Sequence, residues 1–475
     1  MMNTLKPDLC IIGAGSGGLS VAAGAVQMGA SVVLIEKGKM GGDCLNYGCV
    51  PSKALLAAGH AARAHQSSGP FGIAEHAPEI NYEAVHTHVH DVIAGIAPHD
   101  SVERFEGLGV NVIQGVAKFT SLKEVEVNGQ VVRARRFVVA TGSSAFVPPI
   151  DGLDTTPYLT NETIFDLTTA PEHLIIIGGG PIGCEMAQAH RLLGCKVTVI
   201  EATKILPKDD PDLADVVRAT LRGEKIDLVE GATVTRTAKS DDGVSVTFER
   251  NRKPETVSGS HLLIAVGRKA AIDSLNLEAA GVETTKSGID VDDGLRTSNR
   301  KVYAIGDCAG GLQFTHVAGY HAGIVIRSAL FRLPAKADHS AVPWVTYTAP
   351  ELAQVGLTEA QAREEYGDTI RVLTWPYQEN DRARAERKTN GLIKAVIAKN
   401  GRILGCGIAG AQAGELIQVW VLALSQGMKI GAMAGIIAPY PTLGELSKRV
   451  AGAYYTPSLY STKTRWVVKF LSLFG

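Results

Sequence analysis

Residues 9 to 37, LCIIGAGSGGLSVAAGAVQMGASVVLIEK, run from an uncharged apolar stretch through a glycine cluster and a segment of small residues into a second apolar stretch ending in acid. Residues 174 to 202, LIIIGGGPIGCEMAQAHRLLGCKVTVIEA, repeat that order. Every landmark of the second copy lies 165 positions after the first: Gly178 follows Gly13, and Glu201 follows Glu36. Apolar runs without alternation are what strands covered on both faces of a parallel sheet require, so each copy predicts a strand, helix, strand unit. Three further runs, RRFVVATGS (135 to 143), HLLIAVGRK (261 to 269) and KVYAIGDCAGG (301 to 311), have the form of strands bringing backbone to a cofactor edge. That form marks Thr141 and Gly142, Gly267 and Arg268, and Gly306 as candidate contacts.

Between these runs, segments 120 to 134 and 232 to 259 alternate apolar and polar residues around Asn-Gly or Asp-Gly turns, which predicts antiparallel excursions. Beyond residue 341 the glycine pattern stops, and LIKAVIAKNGRILGCGIAG predicts an antiparallel sheet followed by helices. With 475 residues, roughly three domains at ~150 residues each are expected. The fold class is α/β: two dinucleotide units of Rossmann type and a third, α+β region.

Charge removes one class of partner. The 47 basic and 48 acidic residues leave a formal charge of −1, so no overall field attracts nucleic acid. Seven cysteines, at 10, 44, 49, 184, 195, 308 and 406, are too few and odd in number for a secreted disulfide scaffold. The N-terminus lacks a basic stretch followed by an apolar run, and the expected location is cytoplasmic.

The chemistry follows from the glycines. In GAGSGG, Gly13 serves the tight turn, Gly15 the close approach of a pyrophosphate, and Gly18 the packing of helix on strand; Glu36 suits a ribose diol. In GGGPIG, Gly178, Gly180 and Gly183 repeat those roles. Glu201 would repel a 2′-phosphate, which favours NADH over NADPH. Two sites imply two cofactors, a flavin dinucleotide and a nicotinamide, between which hydride can pass.

GGDCLNYGCVPSK, residues 41 to 53, sets Cys44 and Cys49 five positions apart. A zinc site would need a second ligand pair, and VHTHVHD (85 to 91) offers only His86 and His90 on one helical face, so no metal site is expected. A redox dithiol is favoured over a structural disulfide. Cys49 opens a helical stretch whose N-terminal dipole stabilises a thiolate.

GGDCLNYGCVPSK, both glycine motifs, ATG at 140 to 142 and AIGD at 304 to 307 together resemble the pyridine nucleotide-disulfide oxidoreductases, which include dihydrolipoamide dehydrogenase, glutathione reductase and mercuric reductase. The resemblance spans essentially the whole chain. It implies an FAD-binding domain at 1 to 150 with 273 to 340, an NAD(P)-binding domain at 151 to 272, and a dimerisation domain at 341 to 475 that forms a homodimer. It further implies that Cys49 faces the flavin, that Cys44 meets substrate, that Lys53 pairs with Glu185 beside the flavin, and that Asp307 holds the ribityl chain. Lys37, Gly42, Ala117, Thr315 and His316 join the expected cofactor contacts.

One departure alters the expected acceptor. Where the lipoamide and glutathione enzymes carry a His paired with Glu, APYPTLGEL holds Tyr440 and retains Glu445. A tyrosine titrates near ~10 and is a poor base at neutral pH. Mercuric reductases carry Tyr there, and IAPHDSVERFEGLGV and NDRARAE resemble that branch; yet no cysteine follows Cys406, so the branch's adjacent C-terminal pair is missing. The expected enzyme is mercuric reductase-like, and its acceptor is left open among a soft metal ion, an organic disulfide of the lipoamide type and a quinone. TRWVVKFLSLFG, 464 to 475, predicts an amphipathic helix too short to span a bilayer, either packed on the dimer or in peripheral contact with a membrane.

Overall fold

The structure, a computed structural model, describes residues 4–241 and 243–474. The chain gathers into two compact units: Met1–Gly178, Met186–Ala202 and Gly231–Asp338 form the first, and Gly179–Glu185, Thr203–Glu230 and His339–Gly475 the second.

In the first unit a five-stranded parallel sheet is built on Leu9–Ile12, with Val32–Glu36 and Asn111–Gln114 to one side and Arg136–Val139 and Val302–Ala304 to the other. All five residues of Val32–Glu36 are buried, as an uninterrupted apolar strand requires. The helix Ser16–Gln27 and the helix Thr315–Ala329 cover one face through Leu19, Val21, Ala22, Ile324 and Val325. The second repeat forms its own parallel sheet, His173–Ile177 between Lys196–Glu201 and His261–Ile264. Both antiparallel excursions occur as expected, Lys118–Val132 in three short strands and Ala232–Gly259 in three longer ones.

HLLIAVGRK departs from the single strand read in it. The strand His261–Ile264 ends before Gly267, and Arg268–Ala270 leaves to pair antiparallel with Ser143–Ala145. Gly267 has φ +140, a conformation glycine alone adopts easily, so the chain breaks there and turns.

The second unit contains an antiparallel sheet ordered Pro343–Thr346, Glu351–Gly356, Ile403–Gly410, Leu392–Ile397, Arg371–Pro376, with helices after it. Lys394 is buried in this unit, its Nζ 3.0 Å from Asp210 and 2.7 Å from Asp212. A buried ammonium without partners would be costly, so this ion pair accounts for Thr203–Glu230 belonging with the later sheet. The C-terminal helix spans Thr462–Leu471, starting two residues earlier than the sequence suggests because Ser461 caps it by accepting from the Thr464 amide. None of its residues is buried.

Candidate active site

The two repeats end in the same backbone device. Gly13 and Gly178 have φ of +105 and +112. A Cβ on Gly13 would lie 2.3 Å from the Ala140 carbonyl oxygen, and one on Gly178 would lie 2.4 Å from that of Ala265. Only glycine lets each turn pass that close to the neighbouring strand end. At Gly18 a Cβ would meet the Gly13 oxygen at 1.9 Å, so this glycine seats helix on turn, whereas at Gly15 the nearest atom is 4.0 Å away and the space is open. That pattern fits a pyrophosphate at the N-terminus of Ser16–Gln27. Nothing lies within 4 Å of a Cβ at Gly180 either.

Glu36 lies at the strand end and is buried, with Oε2 accepting from the Ala14 amide at 2.6 Å and Oε1 from the Gly38 amide at 2.7 Å. Its carboxylate thereby stands in the lining of a cleft with Gly13, Lys37, Ala117, Thr141 and Leu275. The open space at Gly15, this carboxylate and the cleft fit the adenosine half of FAD.

Cys44 is carried by the short helix Gly42–Asn46, and Cys49 is the first residue of the helix Cys49–Gln66. Gly41 and Gly42 both have positive φ, +84 and +60, which turns the chain sharply into the short helix that carries Cys44. Both thiols are free and hydrogen-bonded to each other. The Cys49 sulfur also lies 3.5 Å from the Thr315 hydroxyl, at the N-terminus of Thr315–Ala329. Two helix N-termini therefore face this sulfur, an environment that favours a thiolate. The bond to Cys49, then burial, then negative charge at Cys49 and Asp43 push the Cys44 thiol above its ordinary range, against an opposing Thr315 hydrogen bond.

Arg268, Asp307 and Gly306 converge on the same edge. The Ser143 hydroxyl donates to Asp307 at 2.6 Å, Arg268 Nε donates to that hydroxyl at 2.7 Å, and a guanidinium nitrogen of Arg268 lies 3.0 Å from the Asp43 carboxylate. Burial raises the Asp307 carboxyl, opposed by the Ser143 bond and Arg268. The buried His321 accepts from the Gly306 amide at 3.2 Å, and His316 stacks on Phe314. Sequence reasoning passed over Asp43, Ser143 and Asn161; Asp43 sat inside the quoted cysteine motif and Ser143 closed the quoted run RRFVVATGS, while Asn161 carried no signal. Lys53 donates to Ser52 at 3.3 Å.

In the second unit, Glu185 accepts from the Tyr347 amide at 3.0 Å. The exposed Tyr440 donates from its hydroxyl to Asp381 at 3.0 Å, and that bond foremost raises its titration above the ordinary tyrosine value. Glu445 opens the helix Glu445–Ala453. The remaining cysteines, 10, 184, 195, 308 and 406, are buried.

Comparison with known proteins now decides the family. Residues 7–322 match the family model described as pyridine nucleotide-disulphide oxidoreductase, and residues 342–451 match that family's dimerisation domain. The chain belongs to the pyridine nucleotide-disulphide oxidoreductases. It is 38% identical over 441 residues to a mercuric reductase of Bacillus cereus, covering 92% of this chain and 70% of that protein. It is 34% identical over 455 residues to a dihydrolipoyl dehydrogenase of Geobacillus stearothermophilus, covering 94% and 96%. Among solved structures, the HOCl-induced flavoprotein disulfide reductase RclA of Escherichia coli superposes with TM-score 0.83 at 30% identity, over 94% of this chain and 99% of that one. As a member, this pyridine nucleotide-disulphide oxidoreductase is an FAD-dependent enzyme using NAD(P)H, and its dimerisation domain supports a homodimer. Among the described residues no helix is long and apolar enough to cross a membrane.

Proposed function

We propose that NADH reduces this enzyme, that electrons pass to the Cys44/Cys49 pair, and that the pair delivers them to a soft divalent metal ion held as substrate between the two sulfurs. Bound FAD would supply two-electron transfer between the nicotinamide and the thiols. The remaining work falls to the chain. Gly13, Gly15, Gly18, Glu36, Lys37, Gly42, Ala117, Thr141, Gly142, Gly306, Asp307, Thr315 and His316 would hold the flavin nucleotide, with Lys53 and Glu185 beside its ring. Gly178, Gly180, Gly183, Glu201 and Gly267 would serve the nicotinamide side, and Arg268, bonded to Ser143 and Asp43, would stand with the flavin contacts. The division proposed is FAD domain 1–150 with 273–340, NAD(P) domain 151–272 and interface domain 341–475.

The observation that carries the choice of acceptor is Tyr440. Its proton is donated to Asp381 at 3.0 Å and its titration is raised, so it does not act as a base near pH 7. Exchange with an organic disulfide needs a group that relays protons to the leaving thiol. A soft ion bound by two thiolates needs none, and a mercuric reductase is among the close relatives. Steady-state NADH oxidation against Hg²⁺ in excess thiol, lipoamide, glutathione disulfide and a soluble quinone tests this. Hg²⁺-dependent turnover abolished by Cys44→Ser is expected; lipoamide turnover exceeding it tenfold would reverse the assignment.

A second feature supports contact with an anionic membrane surface. Trp466 is 66% and Phe474 74% exposed, Trp466 stacks on Phe470, and Arg465 and Lys469 flank this aromatic row on the same exposed helix. After Glu445 the chain carries Lys448, Arg449, Lys463, Arg465 and Lys469 and no acid. That combination suits anionic headgroups over an apolar layer. Equal sedimentation of the full chain and a chain ending at Ser461 with phosphatidylglycerol vesicles would refute it.

A further inference from the structure

The loop bearing Cys44 has little rigidity of its own. Its helix is five residues long, too short to hold itself by backbone bonds. Glycines stand at 41, 42 and 48, and glycine leaves the backbone the most freedom to lose. The Asn46 side chain donates back within the loop region, to Met40 and Gly42 carbonyls at 3.0 and 2.8 Å. A dithiol works by proximity, because closing the disulfide competes with external thiols only if the sulfurs are held near each other. Something outside the loop must therefore fix Cys44 against Cys49.

The Asp43 carboxylate reaches outward. Its Oδ1 accepts from Asn161 Nδ2 at 2.9 Å, and Asn161, 7% exposed, also donates to the Tyr47 carbonyl at 3.2 Å. The same oxygen lies 3.0 Å from Arg268, whose side chain is 13% exposed. Arg268 is itself fixed by two bonds to Ser143, to the hydroxyl at 2.7 Å and the carbonyl at 2.8 Å, and Ser143 donates to Asp307. A Cβ at Gly48 would press on the Asp43 carboxylate at 2.9 Å, so glycine there leaves the carboxylate room to keep this position.

We propose that Asp43 is a positioning residue for the dithiol: gripped by Asn161 and Arg268, it holds the Cys44 loop against Cys49 and ties it to the loop of Asp307. The inference rests on the reading of Cys44 and Cys49 as an exchanging pair. Bonds to a planar guanidinium are strong and directional, so this side chain can orient a glycine-bracketed loop where one without an acceptor oxygen could not. Through Arg268 and Ser143 the clamp links the Cys44 loop to Asp307 in one chain of polar contacts.

The test is the closure equilibrium of the pair in glutathione buffers, measured on the FAD-loaded enzyme by trapping free thiols and mass spectrometry. In that reaction the dithiol forms one S–S bond, releasing two protons and two electrons, and glutathione disulfide is cleaved to two glutathione thiols. Asp43→Ala is expected to lower the closure constant about tenfold, which corresponds to about 30 mV for a two-electron couple. Asp43→Asn, which still offers an oxygen to Asn161 and Arg268, is expected to recover most of that loss. Flavin content and melting temperature are recorded for each variant. A closure constant within twofold of the parent in Asp43→Ala overturns the proposal. If that variant does not fold, Asn161→Ala carries the same expectation at about threefold, and an unchanged constant there overturns it. Cys44→Ser runs in parallel: retained turnover with the preferred acceptor would refute the dithiol reading itself, whereas lost turnover beside unchanged closure in the Asp43 and Asn161 variants would remove the clamp alone.

Discussion

Replacing Gly13 or Gly178 by alanine applies one perturbation to two sites of different function. Each glycine sits at positive φ, +105 and +112, which costs an L-residue ~1–2 kcal/mol. The added Cβ would also stand 2.3 Å from the Ala140 oxygen or 2.4 Å from the Ala265 oxygen, and the carbonyl carbons follow at 2.7 and 2.6 Å. Neither carbonyl can swing away freely, because the Ala140 amide donates to Ile12 and the Ala265 amide to Ile177, each at 2.8 Å. Overpacking of this kind adds ~1–3 kcal/mol. The total, ~2–5 kcal/mol, is a large part of the ~5–15 kcal/mol that holds a domain folded. Both variants should therefore lose melting temperature by similar amounts. Their functional losses should separate: Gly13→Ala should purify with less than half its flavin by visible absorbance. Gly178→Ala should keep its flavin but raise KM for NADH at least tenfold. Full flavin in Gly13→Ala with an unchanged melt, or an unchanged KM in Gly178→Ala, would refute the reasoning that the duplicated turns serve two nucleotides through close backbone approach.

Tyr440→His should introduce a base where none exists, and lipoamide-dependent NADH oxidation at pH 7 to 8 should rise at least tenfold; no rise would show that another group limits that exchange. The reduced enzyme should alkylate at Cys44 only at alkaline pH, since the hydrogen bond to Cys49, burial and nearby negative charge all hold its proton; rapid Cys44 modification at pH 6 would contradict this. His190 is fully buried and burial lowers its pKa from 6.5 to about 4, with the Met186 carbonyl bond opposing. As pH falls below 6.5 the unfolded chain takes a proton that the folded chain refuses. Stability should thus drop between pH 6.5 and 4 by up to about 3 kcal/mol. Comparing denaturant midpoints of the parent and His190→Gln at pH 7 and 5 checks this, and an identical pH dependence in both would exclude His190 as the cause.

The amino-acid sequence alone determined the two nucleotide turns, the strands around them, both antiparallel excursions, the later antiparallel sheet and the start of a helix at Cys49. Each of these is a local feature: an apolar run of fixed period, a glycine whose role is set within a few residues, or a repeat whose offset can be counted. The same locality explains what was misread. HLLIAVGRK looks like one strand, but Gly267 breaks it and Arg268 crosses to Ser143. Tertiary structure alone decided the polar network around the dithiol. Asp43 meets Asn161 across 118 positions, Arg268 meets Ser143 across 125, and Cys49 meets Thr315 across 266. No periodicity records such pairs, because a side-chain hydrogen bond depends on where two distant backbones come to rest. The motif named the sulfurs and carried Asp43; the folded chain supplied the Asn161 amide and the Arg268 guanidinium that meet its carboxylate.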